Sequence, residues 1–599
     1  MASAPPSPFN FEAACSAMEA RLAAWDAWQR EAETTLQAQT DAGKAPCSTC
    51  PPSIDLAESP APKSMAPAAS SSSSQSACPA FEFPGGVPPR VAVLVAPWLQ
   101  TGVPFLSLEV ALRLRHLGCH VTLLLDAADL TFNRYSGFGD ECALLEHLIG
   151  SFSAHFPVIR VDAIPVTPQT PAAVGDDTFW SRLLFENAVL TLRGEQAGRN
   201  YMAKHAGLMQ EWKNHSRLVR SVFTPTPVSQ PPMEADTAPG IAGGSATEDQ
   251  FHWVFLPEGA LGLTGIYIRV LRELGLRFVT SDYGMGELAV CMDGVANFFD
   301  DLPSVLRDAE PRLTTEDWAT IQRCTDEELD NARHGRDGHD VEALQRSSPE
   351  GASLDEELES DVLLCLSYRP DTALVLRQSA FASVEAWIRA VIAWAKSTRR
   401  RVIVRQHPCE RLPEYLGTDD YAALIEDADP SGNVARFVAA DEMINTYALV
   451  ERTSVVLPCV SRIGVEAGIM GKPVLLGIKC FYSGLGFTEA ATTPQNYFSD
   501  LERILKRGPS ATIAPEDARK ARLLYFLLGT CVYLPTTFTP TPEDCVVWMA
   551  RPPRELWETS ELIDLTKALI AHQPLAEVRS RRTLLEEVTF RASFKTAPR

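Results

Sequence analysis

Three short segments in the second half of the chain carry residue types suited to a phosphate-bearing ligand. The first is Arg405-Gln406-His407-Pro408. Proline stops an extended run and fixes the turn behind it, so Arg405 and His407 are expected at a strand end, reaching a cleft. A histidine there can bind a phosphate and, if charged, assist departure of a leaving group. A histidine merely hydrogen-bonded at a strand end is the structural alternative. The second segment, Ser461-Arg462-Ile463-Gly464-Val465-Glu466-Ala467, opens a helix directly after an apolar run. Ser461 is a natural N-cap, and the free N–H groups of a helix start attract anions. Gly464 admits close approach of a ligand or neighbouring backbone. Glu466 falls in the first turn, where a carboxylate also suits the helix dipole, as in any ordinary capped helix. The third segment runs from Gly477 to Thr488 and is dense in glycine and aromatics. Tyr482 offers a stacking face and a hydroxyl there, unless the segment is simply an irregular connection.

A catalytic base is expected from the first half of the chain, across the cleft. Glu258 in Leu-Pro-Glu-Gly and Asp282 in Ser-Asp-Tyr-Gly stand at predicted strand ends, with Asp140 as a weaker third candidate. A carboxylate so placed can take the proton from an acceptor hydroxyl. Equally, Glu258 could cap a turn and Asp282 solvate a loop. No pair has metal-ligand spacing, so a metal is not required, and no cofactor is expected.

The elements that must position these residues read as two strand–helix–strand systems. In the first, 91–97 and 120–126 are apolar runs fit for buried parallel strands, separated by a helix over 105–118. A second such unit comprises 253–259, the helix 264–275 and 277–284. The second system has a strand with its loop at 361–370, a strand with its exit loop at 401–408 and strands at 454–458 and 472–477, with helices at about 380–398, 441–452 and 462–471. Active sites in such folds lie at the carboxyl ends of the strands. The expected organisation is an N-terminal helix (1–42), a disordered Ser/Pro/Ala-rich linker (43–88), a first Rossmann-like domain (89–325), a charged connection (326–360), a second Rossmann-like domain (361–510) and a C-terminal helical segment (511–599). Residues 225–250 read as an exposed loop. The N-terminal helix, with Phe11, Met18, Leu22, Trp25 and Trp28 at helical spacing, is expected to be an appended docking element.

Composition narrows the setting. The 599 residues carry a formal net charge of −22, so a polyanion meets a repulsive average field and nucleic acid is a poor partner. Fourteen cysteines lie scattered, several in apolar runs, as in a reducing cytosol. Cys47 and Cys50 form a CxxC with no second pair, a weak zinc or redox signal. Neither a signal peptide nor a bilayer-spanning run is visible. A cytoplasmic protein is expected, either free or peripheral to the inner membrane, with membrane or assembly-complex contact through residues 10–42.

Taken together, RQHPCE at 405–410, SRIGVEAGIMGKPVLLG at 461–477 and FYSGLGFT at 481–488 resemble the capsule polysaccharide biosynthesis family, which includes bacterial Kdo-transferase-like enzymes. The match is strongest over about 400–500. The first domain matches only in layout and in the PW…P…SLE stretch at 97–109. The resemblance implies an α/β fold of GT-B type, with two Rossmann-like domains facing across a cleft and C-terminal helices. It implies a metal-independent glycosyltransferase that uses a nucleotide sugar and a glycan or glycolipid acceptor in capsule or other surface polysaccharide synthesis. By the same resemblance His407 and the Ser461–Gly464 turn hold the donor phosphate, and Glu466 bonds the ribose hydroxyls. The related wall-teichoic-acid glycerophosphotransferases carry Asp-Tyr-Ser-Ser where this chain has Pro458-Cys459-Val460-Ser461, which argues against polyol-phosphate transfer. Two alternatives share the layout: a sugar-nucleotide epimerase or hydrolase, and a non-catalytic scaffold in polysaccharide assembly or export.

Overall fold

The computed structural model describes residues 10–41, 83, 86–96, 101–128, 130–131, 139–165, 171–224, 250–257, 259–260, 262–282, 287–335, 360–368, 377–413, 415–508, 510–534, 538 and 542–580. Most of the 43–88 linker with its CxxC, residues 225–249 of the 225–250 loop, Glu258 and most of the charged connection lie outside them, as does the side chain of Asp140.

Two six-stranded sheets organise the molecule. The first contains β1 (Arg90–Val95), β2 (His120–Leu125), β3 (Val158–Arg160), β4 (Trp253–Leu256), β5 (Arg277–Asp282) and β6 (Ala289–Met292), in the spatial order β3-β2-β1-β4-β5-β6. The second contains β7 (Ser360–Cys365), β8 (Val402–Arg405), β9 (Ala435–Val438), β10 (Thr453–Pro458), β11 (Val474–Leu476) and β12 (Thr488–Ala490), in the order β12-β11-β10-β7-β8-β9. Counted within its own sheet, each follows 3-2-1-4-5-6, the doubly wound order of a dinucleotide-binding fold. All pairings are parallel except that of β5 with β6. The central strands are buried on both faces, which is why they read as unbroken apolar runs rather than as alternation. The fold is therefore α/β with two Rossmann-like domains and C-terminal helices, as expected.

The domains meet through reciprocal helix capping. Asp419 of the second domain accepts from the backbone N–H of Glu195, at the start of helix Glu195–Lys204, at 2.9 Å. The Glu195 carboxylate in turn accepts from the N–H of Val384, at the start of helix Val384–Thr398, at 3.0 Å. Each carboxylate satisfies an otherwise orphaned donor and suits the helix dipole. Arg377 adds bonds to Asp300 (3.1 Å) and to the carbonyl of Phe298 (3.0 Å). Between the domains lies a cavity of about 270 Å³, lined among others by Arg182, Phe185, Arg377, Phe381 and Ile478.

Two features differ from the sequence reading. The apolar face of helix Phe11–Asp41 is covered from within. Phe11, Met18, Leu22 and Trp25 are buried in one cluster with Phe105, Phe538, Trp548 and Trp557. At its centre Glu109 is fully enclosed. It accepts from Arg21 at 2.6 and 3.0 Å, from Trp557 at 2.7 Å and from Trp25 at 3.3 Å. A buried carboxylate needs a counter-charge and bonds to its lone pairs, and the N-terminal helix supplies both. The face expected to dock elsewhere is part of the first domain's core. The second difference is the boundary near 325. Helices Leu302–Ala309 and Thr315–Arg333 share the second domain's core with Leu524 and Phe526 of helix Pro515–Leu527. The chain then returns, and helices Pro553–Trp557 and Ser560–Ala571 pack on the first domain.

Candidate functional site

In the doubly wound order the crevice opens where successive connections leave the sheet to opposite sides, between the first and fourth strands. In the second sheet these are β7 and β10. Their exit loops stay in step beyond the last paired residues. Cys459 N–H donates to the Cys365 carbonyl at 2.9 Å, Leu366 N–H to the Arg405 carbonyl at 3.0 Å, and Val460 N–H to the Ser367 hydroxyl at 3.4 Å. His407, Ser367 and Ser461 therefore issue from three neighbouring strand ends. This brings together the expected donor-side residues Arg405, His407, Ser461, Gly464, Glu466 and Tyr482 in one region of the second domain.

Their individual roles differ from one another. His407 precedes a short 3-10 turn, Pro408–Arg411, and its Nδ1 accepts from the Cys409 N–H at 3.3 Å, with the Cys409 thiol 2.7 Å away. That leaves the ring proton on Nε2. Burial, together with the charges of Arg405 and Arg462, pushes the imidazole down to about 4. His407 is thus a neutral hydrogen-bond donor in the unliganded protein rather than a cation. Its ring lies 5.9 Å from that of Tyr368.

Arg405 is turned inward. It is 3% exposed and bonds the carbonyls of Ala439 and Ile444 and the Thr446 hydroxyl. It braces the loop after β9 and contributes its charge to the site from beneath, instead of projecting into the cleft. Burial lowers its pKa only to about 10, so the charge persists at neutral pH.

Ser461 does not cap the following helix with its side chain. The cap position is Arg462, whose side chain accepts from no backbone N–H of Ile463–Ile469. The Ser461 carbonyl instead accepts from Gly464 N–H at 3.2 Å and from the Tyr482 hydroxyl at 2.8 Å. Gly464 is required by that same tyrosine. A Cβ there would stand 2.5 Å from the Tyr482 hydroxyl oxygen and 2.9 Å from Pro458. Tyr482 is fully buried, with Phe481 edge-on at 4.8 Å and Phe487 stacked at 6.2 Å. The stacking face expected for a ligand is occupied by the protein, and the close approach allowed by Gly464 is that of a side chain. Glu466 is 3% exposed and lies under Arg462, whose Nε donates to it at 3.1 Å. Burial and the Glu466 carboxylate raise the neighbouring Tyr447 phenol well above its usual pKa.

Of the candidate bases, Asp282 ends β5 in the other sheet, half-buried opposite Ala289 of β6. Glu258 falls outside the described residues, although its neighbours Pro257 and Gly259 stand at the carboxyl end of β4. Sequence reasoning missed Ser367, Tyr368 and Arg462. The first two follow β7, and the switch-point rule applied to the strand order would have marked that loop. It also missed a buried group at the end of β2, where Asp126 accepts from Tyr267 at 2.7 Å and pairs with His215 at 2.8 Å. Nothing in the spacing of those three residues announces their meeting.

No family model matches the chain, and no curated protein matches it. Solved structures with a related arrangement include KpsC, a beta Kdo 2,4 transferase of Thermosulfurimonas dismutans, at 15% identity and a TM-score of 0.30, covering 50% of this chain and 88% of that one. A glycosyltransferase of Rickettsia africae ESF-5 aligns at 11% identity and a TM-score of 0.24, over 79% of this chain and 100% of that one. The UDP-GlcNAc 2-epimerase of Neisseria meningitidis aligns at 9% and 0.21, over 72% and 94%. Values this low identify no family. Among the described residues no helix is long and apolar enough to cross a membrane.

Proposed function

We propose that this chain is a glycosyltransferase that draws on a nucleotide-activated sugar, with the nucleotide held by the second domain and a glycan or glycolipid acceptor presented by the first. Capsule or other surface polysaccharide synthesis is the proposed setting. The observation that carries this reading is the convergence of the β7, β8 and β10 exit loops at the switch point of the second sheet, where His407 stands beside two guanidinium charges. Such a place favours an anion, and a neutral imidazole N–H can donate to a phosphate oxygen as it gains charge. In this mechanism Arg405 supplies fixed positive potential, His407 a directed donor, and Glu466 an acceptor for ribose hydroxyls. Asp282 or Glu258 serves as base for the acceptor hydroxyl. The reading calls on no metal.

A thermal-shift screen of the full chain against CMP-, UDP-, GDP- and CDP-linked sugars tests it, since a ligand that binds only the native state raises the melting temperature. One nucleotide series should stabilise the protein. His407→Ala should then lower turnover by about 10²-fold, with a smaller loss in donor affinity. Free sugar or an epimerised nucleotide sugar formed without an acceptor would redirect the assignment to a hydrolase or epimerase. Absence of any nucleotide binding would leave the scaffold reading.

A further inference from the structure

The cavity between the domains takes one wall from each. The first wall is a single face of helix Asp177–Leu192, where Arg182, Phe185, Glu186 and Val189 recur at helical spacing. The second is the segment 377–384, which crosses the exit of β11. There Ala380 N–H donates to the Gly477 carbonyl at 2.8 Å, and Ser379 bridges to Ile478. This place is separate from the His407 loop. Ile478 follows β11 and His407 follows β8, with β10 and β7 between them, so three strand spacings, about 14 Å, part the two exits.

The chemistry of the cavity also differs from that of the His407 loop. Phe185 and Phe381 stand on opposite walls, and Arg182 and Arg377 are balanced by Glu186 and Glu195. The lining therefore carries no net charge to select a phosphate. Arg182 donates from Nε to Glu186 at 2.7 Å and from one terminal nitrogen to the Arg377 carbonyl. Its other terminal nitrogen has no partner among the described residues. A guanidinium beside a carboxylate sets donors next to acceptors, and neighbouring hydroxyls on a sugar ring match that pattern because each both donates and accepts. Aromatic faces suit the C–H face of the same ring. At about 270 Å³ the cavity lies just below the roughly 300–1,000 Å³ of small-molecule sites, so it suits one ring rather than a chain.

The second wall is also part of the joint between the domains. The chain passes from β6 to helix Leu302–Ala309, in the second domain's core, through residues 293–301. Arg377 holds this crossover through Asp300 and the Phe298 carbonyl, and its guanidinium lies 3.7 Å from the centre of the Phe298 ring. The residue that clamps the crossover is thus the one whose carbonyl receives Arg182.

We propose that this cavity is a saccharide site, in which one uncharged pyranose ring lies between Phe185 and Phe381 with its hydroxyls on Arg182 and Glu186, and that its contacts to both walls hold the domains at the spacing seen here. A ligand that touches both domains gains its full contacts only in that arrangement, and so selects it. The site does not depend on the nucleotide reading, since no residue of the His407 loop takes part.

The test is saturation-transfer NMR of the full chain, without nucleotide, using the methyl glycosides of glucose, galactose, mannose and N-acetylglucosamine, with inorganic phosphate as the anionic competitor. At least one glycoside should bind, and phosphate should not displace it. Phe185→Ala removes one aromatic wall and should weaken that glycoside by about fivefold or more. Should that variant fail to fold, Arg182→Gln, at a side chain 39% exposed, should produce the same loss in a folded chain. Failure of every glycoside to bind, an unchanged affinity in the folded variant, or displacement by phosphate overturns the site. Hydrogen exchange reads the hold on the domains. The amides of Phe298 and Phe299, which bond Val295 and Ala296 within the crossover, should exchange about fivefold more slowly in the glycoside complex of wild type. A bound glycoside that leaves their exchange unchanged overturns the domain-holding role. Both measurements are made without nucleotide, so failure of the nucleotide reading leaves their outcome standing.

Discussion

The two sheets share one strand order, and the domains built on them place their buried charges differently. In the first domain two buried carboxylates are taken up by partners inside the protein. Asp126 beyond β2 holds His215 and Tyr267, and Glu109 holds Arg21, Trp25 and Trp557, drawn from both ends of the chain. In the second domain the exit loops gather two arginines around a neutral histidine, and one of those arginines is more than a third exposed. Topology supplies a crevice in both; the side chains decide whether it is closed for stability or left open for an anion. The same fold half is thus a keystone in one place and a candidate binding site in the other.

The sharpest way to break that contrast is in the first domain. Arg21→Ala strands a fully buried Glu109 and should cost about 3–5 kcal/mol of stability, as for other broken buried pairs. Denaturant unfolding should report it, and Arg21→Met with Glu109→Gln should recover much of the loss. A change below about 1 kcal/mol would mean that the helix is the detachable arm its amphipathic pattern first suggests. In the second domain Gly464→Ala pushes a methyl into Tyr482 and Pro458. It should cost about 1–3 kcal/mol, the range for overpacking, and should weaken nucleotide binding by displacing the Ser461 turn.

Proton affinity sharpens the comparison further, because each domain carries one histidine pushed down to about 4. His116 is lowered by burial and by Arg113, beneath the stacked ring of Trp28 at 4.0 Å. His407 is lowered by burial and by Arg405 and Arg462. Both bind fewer protons folded than unfolded between about pH 4 and 6.5, so their contribution to stability is present above that window and is lost as pH falls through it. Imidazole resonances followed by NMR should give low values for both. Adding a nucleotide should raise that of His407 by about one unit or more, as an anion offsets the two guanidinium charges, and should leave His116 unmoved. Equal responses, or none, would remove the distinction between a stabilising histidine and a ligand-sensing one.

Much of this architecture was legible in the residues, and the gaps have physical causes. The strands β1, β2, β4, β7, β8, β10 and β11 carry apolar runs because helices cover both faces, and such runs are hard to miss. The strands β3 and β9 escaped notice because they are short and partly exposed, with burial too uneven to leave a period. The stripe on helix Phe11–Asp41 revealed that something covers it. What covers it is Phe105 with Phe538, Trp548 and Trp557 from the far end of the chain, around the pairing of Arg21 with Glu109, 88 positions away, and spacing alone does not encode contacts of that range. At the site, the loops following strands could be marked as places to search, since topology fixes where they emerge. Orientation within them was not readable. Arg405 turns down to three backbone and side-chain acceptors instead of outward, and a sequence does not distinguish the carbonyl of Ala439 from a phosphate as the partner of a guanidinium.

Tyr482 puts the same ambiguity to its mildest test. An aromatic next to a glycine-rich turn suits either a ligand or the gap left by a glycine, and here the ring fills the gap over Gly464. Its hydroxyl holds the Ser461 carbonyl at 2.8 Å, on the turn that carries Arg462. Tyr482→Phe keeps the ring and removes one hydrogen bond, so the expected loss is about 0.5–1.5 kcal/mol in denaturant unfolding. The carbonyl retains Gly464 N–H as a donor, which should hold the turn in place and keep nucleotide affinity within about twofold of wild type, a change of about 0.4 kcal/mol. The reverse pattern, unchanged stability with affinity lost by tenfold or more, would mean that the hydroxyl meets a ligand after the ring moves. In that case the second domain's site would be built by rearrangement, and its contrast with the paired Glu109 of the first domain would extend from charge to mobility.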